Sequence, residues 1–535
     1  MAEEFYEINM EKQKLSADEA GLLILFTAIL VGTWFRIMPA WMAGFPINDG
    51  GMFYTMIQNL QANHYIPPLY TTYNNLNIPF VYPPLGLYLG AGISDLLNLA
   101  SPLPVIQWLP GIINAFCIPA FYFLAREILG DKLQSAISTL VFSLIPHMAA
   151  WFSMGGGLTR ALGAFFMLLA LTHSYRVFAK GSKKDIWGAI IFSSLAALSH
   201  TEAPVYTIAI AIYIWAMKSR SQKGFLNGIL IAVGVFVLSI PWYGWVIYQH
   251  GFAPLISASQ AGFHSIWSIL RLINIDFVTE EPYLDLLGVL SILGMATLVA
   301  KRKFFIPGML IVIYLSQPRS AHTIANIPLA MAAGFFTAEI LIPAITRIQE
   351  NSRKINSTIR PSLTFFFIIL IPYLLSNSVY YGFQLSEMHV SKAGRDAMHW
   401  VANNTLKESK FLVITGESNG FCDSTSEWFP ALTNRHSLAT LQGNEWLQGQ
   451  NFGEYAGYIQ NLQACSKKGL ACLLQEADHF GPNFDYLYIS LNSLTTNCNL
   501  TDASDLNRGL ILELENSVQF QAVFRSDDVM IFSKR

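Results

Sequence analysis

Ile47-Asn48-Asp49-Gly50-Gly51-Met52 and Tyr82-Pro83-Pro84-Leu85 lie in one stretch, Trp41 to Leu103, that holds no lysine or arginine. The stretch follows the first apolar run, Gly21 to Pro39, which approaches the roughly 20 residues a spanning helix needs. A long loop so stripped of cations is expected on the non-cytoplasmic side of a membrane. A carboxylate at its start, Asp49, then becomes an active-site candidate.

Of the 535 residues, 53% are hydrophobic and 13% charged, and the mean hydropathy is +0.39. A soluble domain carries roughly 25% charged residues, so most of the chain is expected in lipid. The net charge of -2 is sorted by side rather than accumulated and gives no pointer to nucleic acid. No Gly-x-x-x-x-Gly-Lys-Ser/Thr loop occurs, which disfavours an ATP-driven pump. The charged residues 1–20, with no small-residue cleavage site after Pro39, make the first run an anchor rather than a signal peptide.

Further apolar segments fall at 105–125, 133–152, 161–178, 186–200, 203–217, 225–248, 284–300, 304–317, 324–345 and 362–383. Cations between them alternate. Arg126/Lys132, Arg176/Lys180/Lys183/Lys184, Lys218/Arg220/Lys223, Lys301/Arg302/Lys303 and Arg347/Arg353/Lys354/Arg360 mark cytoplasmic connections. The intervening ones hold only Arg160, Arg271 and Arg319 and are read as external. Residues 83–99 look like another span, but a crossing there would break the alternation. They also contain Gly86, Gly90, Gly92, Asp95 and Asn98. They are read as a juxtamembrane helix, which leaves eleven spans and an internal amino terminus. The fold class is an all-α polytopic membrane protein with a C-terminal extracytoplasmic α/β domain. Residues 1–383 form the membrane part, with a first external loop at 39–104, and 384–535 the soluble part.

In that tail, helical patterns fall near 391–404 and 454–464. Strand-like runs are Phe411–Thr415 and Tyr486–Leu491, with a terminal hairpin over Phe520–Phe532. No internal repeat of 20–50 residues occurs, against a solenoid or propeller. Cys422, Cys465, Cys472 and Cys498 all fall there and allow three pairings. Cys117 stands alone in an apolar run, as a buried thiol would. Asn403-Asn404-Thr405 and Asn499-Leu500-Thr501 are glycosylation sequons.

Asp49 can be read two ways: as the N-cap of the amphipathic stretch Met52–Leu60, or as a general base at the membrane face. Tyr82-Pro83-Pro84-Leu85 marks a helix start. Arg160 follows Gly155-Gly156-Gly157-Leu158-Thr159; Arg319 sits in Gln317-Pro318-Arg319-Ser320-Ala321-His322; Arg271 lies in the loop 250–283. Each can snorkel at a helix end, yet three arginines on one face also suit a docked phosphate. His200-Thr201-Glu202-Ala203-Pro204 forms a tight external turn, read as a turn cap first and a substrate contact second. The face lacks the close set of acids a Mg²⁺ or Mn²⁺ site wants, so no metal or other cofactor is expected to be required.

In the order and placement of these motifs the chain resembles the GT-C glycosyltransferases, polytopic enzymes that take a sugar from a polyprenyl-phosphate carrier. Protein O-mannosyltransferases, aminoarabinose transferases and oligosaccharyltransferases are among them. The resemblance covers about residues 20–345. It rests on Asn48-Asp49, on Tyr82-Pro83-Pro84-Leu85, on Gly157-Leu158-Thr159-Arg160-Ala161-Leu162-Gly163, on Leu198-Ser199-His200-Thr201-Glu202, and on Pro318-Arg319 before Ile327-Pro328-Leu329-Ala330. It implies Asp49 as the base. It implies Arg160, Arg319, Arg271, His200, Glu202, Tyr82 and His322 as candidates for binding substrate. Oligosaccharyltransferases carry further acidic motifs for a divalent metal. The loop Trp151–Arg160 has no acid, so neither metal dependence nor Asn-glycosylation carries over.

Soluble glycosidases need an acid as well as a base because an alkoxide leaves poorly. A lipid phosphate leaves as an anion and needs cations rather than a proton. The sequence therefore points to sugar transfer to an unidentified glycan, lipid or protein acceptor on the extracytoplasmic face, by a single inverting displacement. The alternative is a transporter or flippase for a lipid-linked saccharide, for which ionisable residues near the bilayer midplane are expected. Only Glu339 and His173 lie well inside the predicted spans. A scaffold whose tail binds an envelope partner is a third reading.

Overall fold

The computed structural model describes residues 16–261, 286–354, 363–481, 483–491 and 507–535. Every apolar segment read from the sequence is helical where described. Helix α1 (Ala17–Ala43) opens on a capping box: Ser16 accepts from the Glu19 amide while Glu19 reaches back to Ser16. The first loop then carries α2 (Gly51–Ala62), the two-residue strands β1 (Tyr70–Thr71) and β2 (Ile78–Pro79), and α3 (Leu85–Leu96). With 12 residues, α3 is about 18 Å long.

The segment 133–152 is not one helix. It splits into α5 (Lys132–Leu144) and α6 (Pro146–Ser153), after α4 (Leu103–Leu129). Pro146 has no N–H and forces Ile145 into extended backbone. The break frees the carbonyls of Phe142 and Ser143. The buried Arg36 guanidinium of α1 takes them up, donating to both at 3.2 and 3.0 Å and to Asn114 Oδ1 at 3.0 Å. An arginine inside an apolar helix is thereby satisfied without a carboxylate.

The remaining helices of the membrane part are α7 (Gly157–Lys180), α8 (Asp185–Ser199), α9 (Ala203–Lys218), α10 (Gln222–His250), the short α11 (Ala253–Gln260), α12 (Leu286–Ala300), α13 (Phe305–Ser316), α14 (Ala321–Phe336), α15 (Ile342–Lys354) and α16 (Leu363–Ser386). Among the described residues, five helices are long and apolar enough to cross a membrane by length and composition; several others run 12 to 16 residues. α7 packs against α4, α8 and α9, and α14 against α5, α12 and α13. The core between them is built from apolar side chains such as Phe121, Leu171, Ile210 and Met331.

The C-terminal part contains α17 (Lys392–Asn404), β3 (Lys410–Ile414), α18 (Ser424–Thr433), β4 (His436–Ser437), α19 (Glu445–Gln448), α20 (Phe452–Ala464), α21 (Leu470–Ala477), β5 (Tyr486–Ser490), α22 (Arg508–Glu515), β6 (Phe520–Arg525) and β7 (Val529–Lys534). The sheet order is β4-β3-β5-β7-β6. The first three strands are parallel, and the predicted hairpin adds antiparallel β7 and β6 at one edge. Cys465 and Cys472 form a disulfide. Cys498 and the second sequon, Asn499-Leu500-Thr501, lie outside the described residues.

One sheet face has its own core, with Leu412, Ile414, Leu487 and Phe532. The other shares a core with the first loop. Phe411, Trp428, Phe429 and Tyr488 pack in one cluster with Phe45, Met52, Phe53, Ile57, Tyr73 and Phe80.

Candidate functional site

The first loop, the ends of α6 through α9 and of α14, and the tail enclose one cavity of about 700 Å³. Asp49, Tyr82, Arg160, His200, Glu202, Arg319 and His322 all line it. Seven of the eight residues singled out in the sequence thus meet in one place. Arg271 lies outside the described residues.

Asp49 is not an N-cap. Gly50 takes that position, with φ at 120° and no side chain to cap with. The Asp49 carboxylate turns instead to the start of α7. Oδ1 accepts the Gly156 N–H at 2.7 Å, and Oδ2 accepts Arg160 Nη2 at 2.7 Å. This closeness explains the glycine run. A Cβ on Gly155 would sit 1.9 Å from the Asp49 carbonyl oxygen, and one on Gly156 2.4 Å from Oδ2. Arg160 also lies over the Trp151 ring, 5.2 Å from its centre, in a cation–π contact.

His200 ends α8 and Glu202 precedes α9, with the Glu202 amide donating to His200 Nδ1 at 3.3 Å. Burial pushes the His200 imidazole down to about 4, so it is neutral at neutral pH. Burial alone would raise the Glu202 carboxyl. Its charge interactions with His200 and then Arg319, and hydrogen bonds from Ser320 and Gln317, reverse that and hold it below the ordinary value. The Arg319 guanidinium lies 5.5 Å from the centre of the Phe421 ring, a tail residue. Tyr82 sits among aromatics, 4.8 Å from Phe53, 6.2 Å from His200 and 6.0 Å from Trp446.

The tail contributes much of the wall, which the sequence did not announce. The loops after the C-terminal ends of parallel strands β3 and β4 reach in with Asn419, Phe421, Asp423 and Gln442, and α19 with Glu445 and Trp446. Strand C-termini are where parallel sheets generally present ligand sites. Glu427, on α18, also lines the cavity; burial and then the nearby Asp49 charge push its carboxyl up to about 8. Glu445 is likewise raised, by burial above all, although Arg319 and Arg160 pull it the other way. The Asp49–Arg160 pair therefore faces two carboxyls, Glu427 and Glu445, that burial shifts toward the neutral form.

No protein-family model matches the sequence, and no curated protein matches it. Structural likeness is extensive. The oligosaccharyltransferase of Archaeoglobus fulgidus in its apo form superposes with a TM-score of 0.55 at 14% identity, covering 88% of this chain and 69% of that one. The fold is of the GT-C type. The archaeal protein in complex with Zn and sulfate gives a TM-score of 0.51 at 13% identity, over 88% of this chain and 68% of that one. Arabinofuranosyltransferase AftD from Mycobacteria gives 0.49 at 13% identity, over 97% of this chain but 42% of AftD. At such identities the likeness speaks to the GT-C fold alone.

Proposed function

We propose that this protein is a glycosyltransferase that moves a sugar from a polyprenyl-phosphate donor to an acceptor on the extracytoplasmic face, by one inverting displacement. The observation that carries the reading is the Asp49–Arg160 pair, 2.7 Å apart, in a cavity of about 700 Å³ that also presents Arg319. Asp49 takes the proton of the acceptor nucleophile as that atom bonds to the anomeric carbon. The bond from that carbon to the phosphate oxygen breaks, and its electron pair leaves with the phosphate. Arg160 and Arg319 meet the growing charge. With the base paired to Arg160, an arriving phosphate competes for the guanidinium and releases the carboxylate for proton transfer.

The proposal gives no resident metal a part. Both Asp49 oxygens are engaged by Gly156 and Arg160. Among the described residues no three His, Cys, Asp or Glu side chains converge as ligands. The proposed reaction uses none. Eleven crossings, an internal amino terminus and an extracytoplasmic tail from residue 384 belong to the same proposal. The Cys465–Cys472 disulfide supports that side, since disulfides persist in oxidising compartments. A transporter is disfavoured because both ionisable residues read inside spans pair with a residue in the first turn of a neighbouring helix. His173 bonds Asp185 at 2.7 Å, and Glu339 bonds Gln134 at 2.8 Å with Lys301 nearby.

The test is incubation of the purified chain with a radiolabelled polyprenyl-phosphate sugar and candidate acceptors, with and without EDTA. Label should move to an acceptor, and chelation should leave the rate unchanged. Movement of intact donor across a vesicle bilayer without transfer would support a flippase instead. A rate abolished by EDTA and restored by Mn²⁺ would remove the metal-free scheme.

A further inference from the structure

The first turn of α18 grips the backbone on both sides of Asp49. Glu427 Oε1 accepts the amides of Gly50 and Met52, each at 3.3 Å. Trp428 Nε1–H donates to the Asn48 carbonyl at 3.0 Å. Asn48 Nδ2 donates to the Phe421 carbonyl at 2.9 Å, and the Tyr73 hydroxyl to the Glu427 carbonyl at 2.7 Å. Trp428 is fully buried, its ring 4.9 Å from Phe45 and 5.9 Å from Tyr54. The contact is close enough that a Cβ on Gly51 would stand 2.5 Å from the Glu427 carbonyl oxygen.

These bonds are placed where the loop most needs them. Asp49 is followed by two glycines, the residues with the most backbone freedom to lose. Gly50 gives the α2 N-terminus no cap, and Glu427 supplies one from 377 positions away in sequence. A general base must sit within hydrogen-bond reach of the proton it takes. An error of about 1 Å in such a group can cost on the order of 100-fold in rate.

We propose that Glu427 and Trp428 are positioning residues for Asp49, so that the tail is a working part of the catalytic unit and not a cover over it. The proposal rests on the reading of Asp49 as the base. Glu427 acts here as an acceptor, a role the amide oxygen of glutamine can also fill. Trp428 acts as a donor, a role phenylalanine cannot fill although it keeps most of the packing.

The experiment compares full-length E427A, E427Q, W428F and D49N in the donor-transfer assay, measuring kcat, donor KM and Tm. E427A and W428F should lose about 10- to 100-fold in kcat with donor KM within about 2-fold, because neither residue belongs to the arginine set for the phosphate. E427Q should retain kcat within about 3-fold, since the acceptor oxygen survives. Wild-type turnover by E427A and W428F beside an inactive D49N would overturn the clamp and leave the base reading standing. Equal losses in E427Q and E427A, tracking Tm, would also overturn it, in favour of a structural role only. Near-normal turnover by D49N would remove the base reading beneath it.

Discussion

At the level of single residues, the proposed mechanism gives the base and its charge partners to separate side chains. Asp49→Asn keeps an oxygen for the Gly156 amide but loses the ion pair to Arg160. It should cut transfer by about 10²–10⁴-fold, as loss of a general base does, with donor binding kept because Arg160 is then free for phosphate. Arg160→Ala and Arg319→Ala should raise donor KM and lower kcat together, by about 10²–10³-fold for the charge-stabilising part. A D49N enzyme with near-normal turnover sinks the mechanism. Glu427 adds a pH dependence. Facing it are Asp49 from the first loop, Tyr73 from the turn 73–75 and Glu445 from α19. Its folded pKa of about 8 exceeds the ordinary 4.5, so the folded protein holds that proton more tightly. Its contribution to stability is complete below about pH 4.5 and is lost as pH rises through about 8. Thermal scans from pH 6 to 9 should show a falling Tm that E427Q flattens; a slope unchanged in E427Q would refute the assignment. The cavity residues of the membrane part were legible because cations there are rare and sit at helix ends. Glu427, Glu445 and Trp446 were not. Asn444-Glu445-Trp446 reads as an ordinary tail segment, and its place in the cavity follows only from long-range packing. The N-cap alternative for Asp49 failed for a local reason: the positive φ at Gly50 starts the helix one residue later and turns the aspartate away.

At the level of elements, hydropathy located the helices, and backbone chemistry decided their interruptions. The stretch 133–152 carries no Asp, Glu, Lys or Arg, so hydropathy could not show that Pro146 divides it; the pre-proline restriction could. α3 illustrates the reverse. Its composition imitates a span, and its 12 residues equal those of α13, so the charge alternation and not length separates the two readings. The proposed topology puts exposed Ala62 and Lys407 on the external side and exposed Lys183 on the cytoplasmic side. Single cysteines at these positions, labelled in sealed cells with an impermeant maleimide, should react at Ala62→Cys and Lys407→Cys and not at Lys183→Cys. Labelling of Lys183→Cys alone would invert the whole arrangement and move Asp49 to the cytoplasm.

At the level of the whole molecule, the tail and the first loop behave as one packed body. Their side chains share a cluster in which Trp428 is fully buried. Asn74 and Ser437 exchange two hydrogen bonds of 2.8 and 2.7 Å across more than 360 residues. Composition marks residue 384 as the place where a polar tail begins, yet one face of its core is completed by residues 45–81. A polar segment after the last span reads as an appended domain because sequence order hides such closure. The consequence is mechanical: loosening the tail should loosen the loop that carries Asp49. Trp428→Ala removes a buried indole and should cost about 3–5 kcal/mol. The loop has no lysine or arginine between Trp41 and Leu103, so trypsin cannot report on it, but chymotrypsin can cut after Tyr65 and exposed Tyr70. In detergent, Trp428→Ala should accelerate chymotryptic cleavage near these tyrosines together with cleavage in the tail. A tail that is cut while the loop keeps its wild-type resistance would mean the two unfold independently. The tail would then be an appended cover, and positioning of Asp49 would rest on α7 and its glycine run alone.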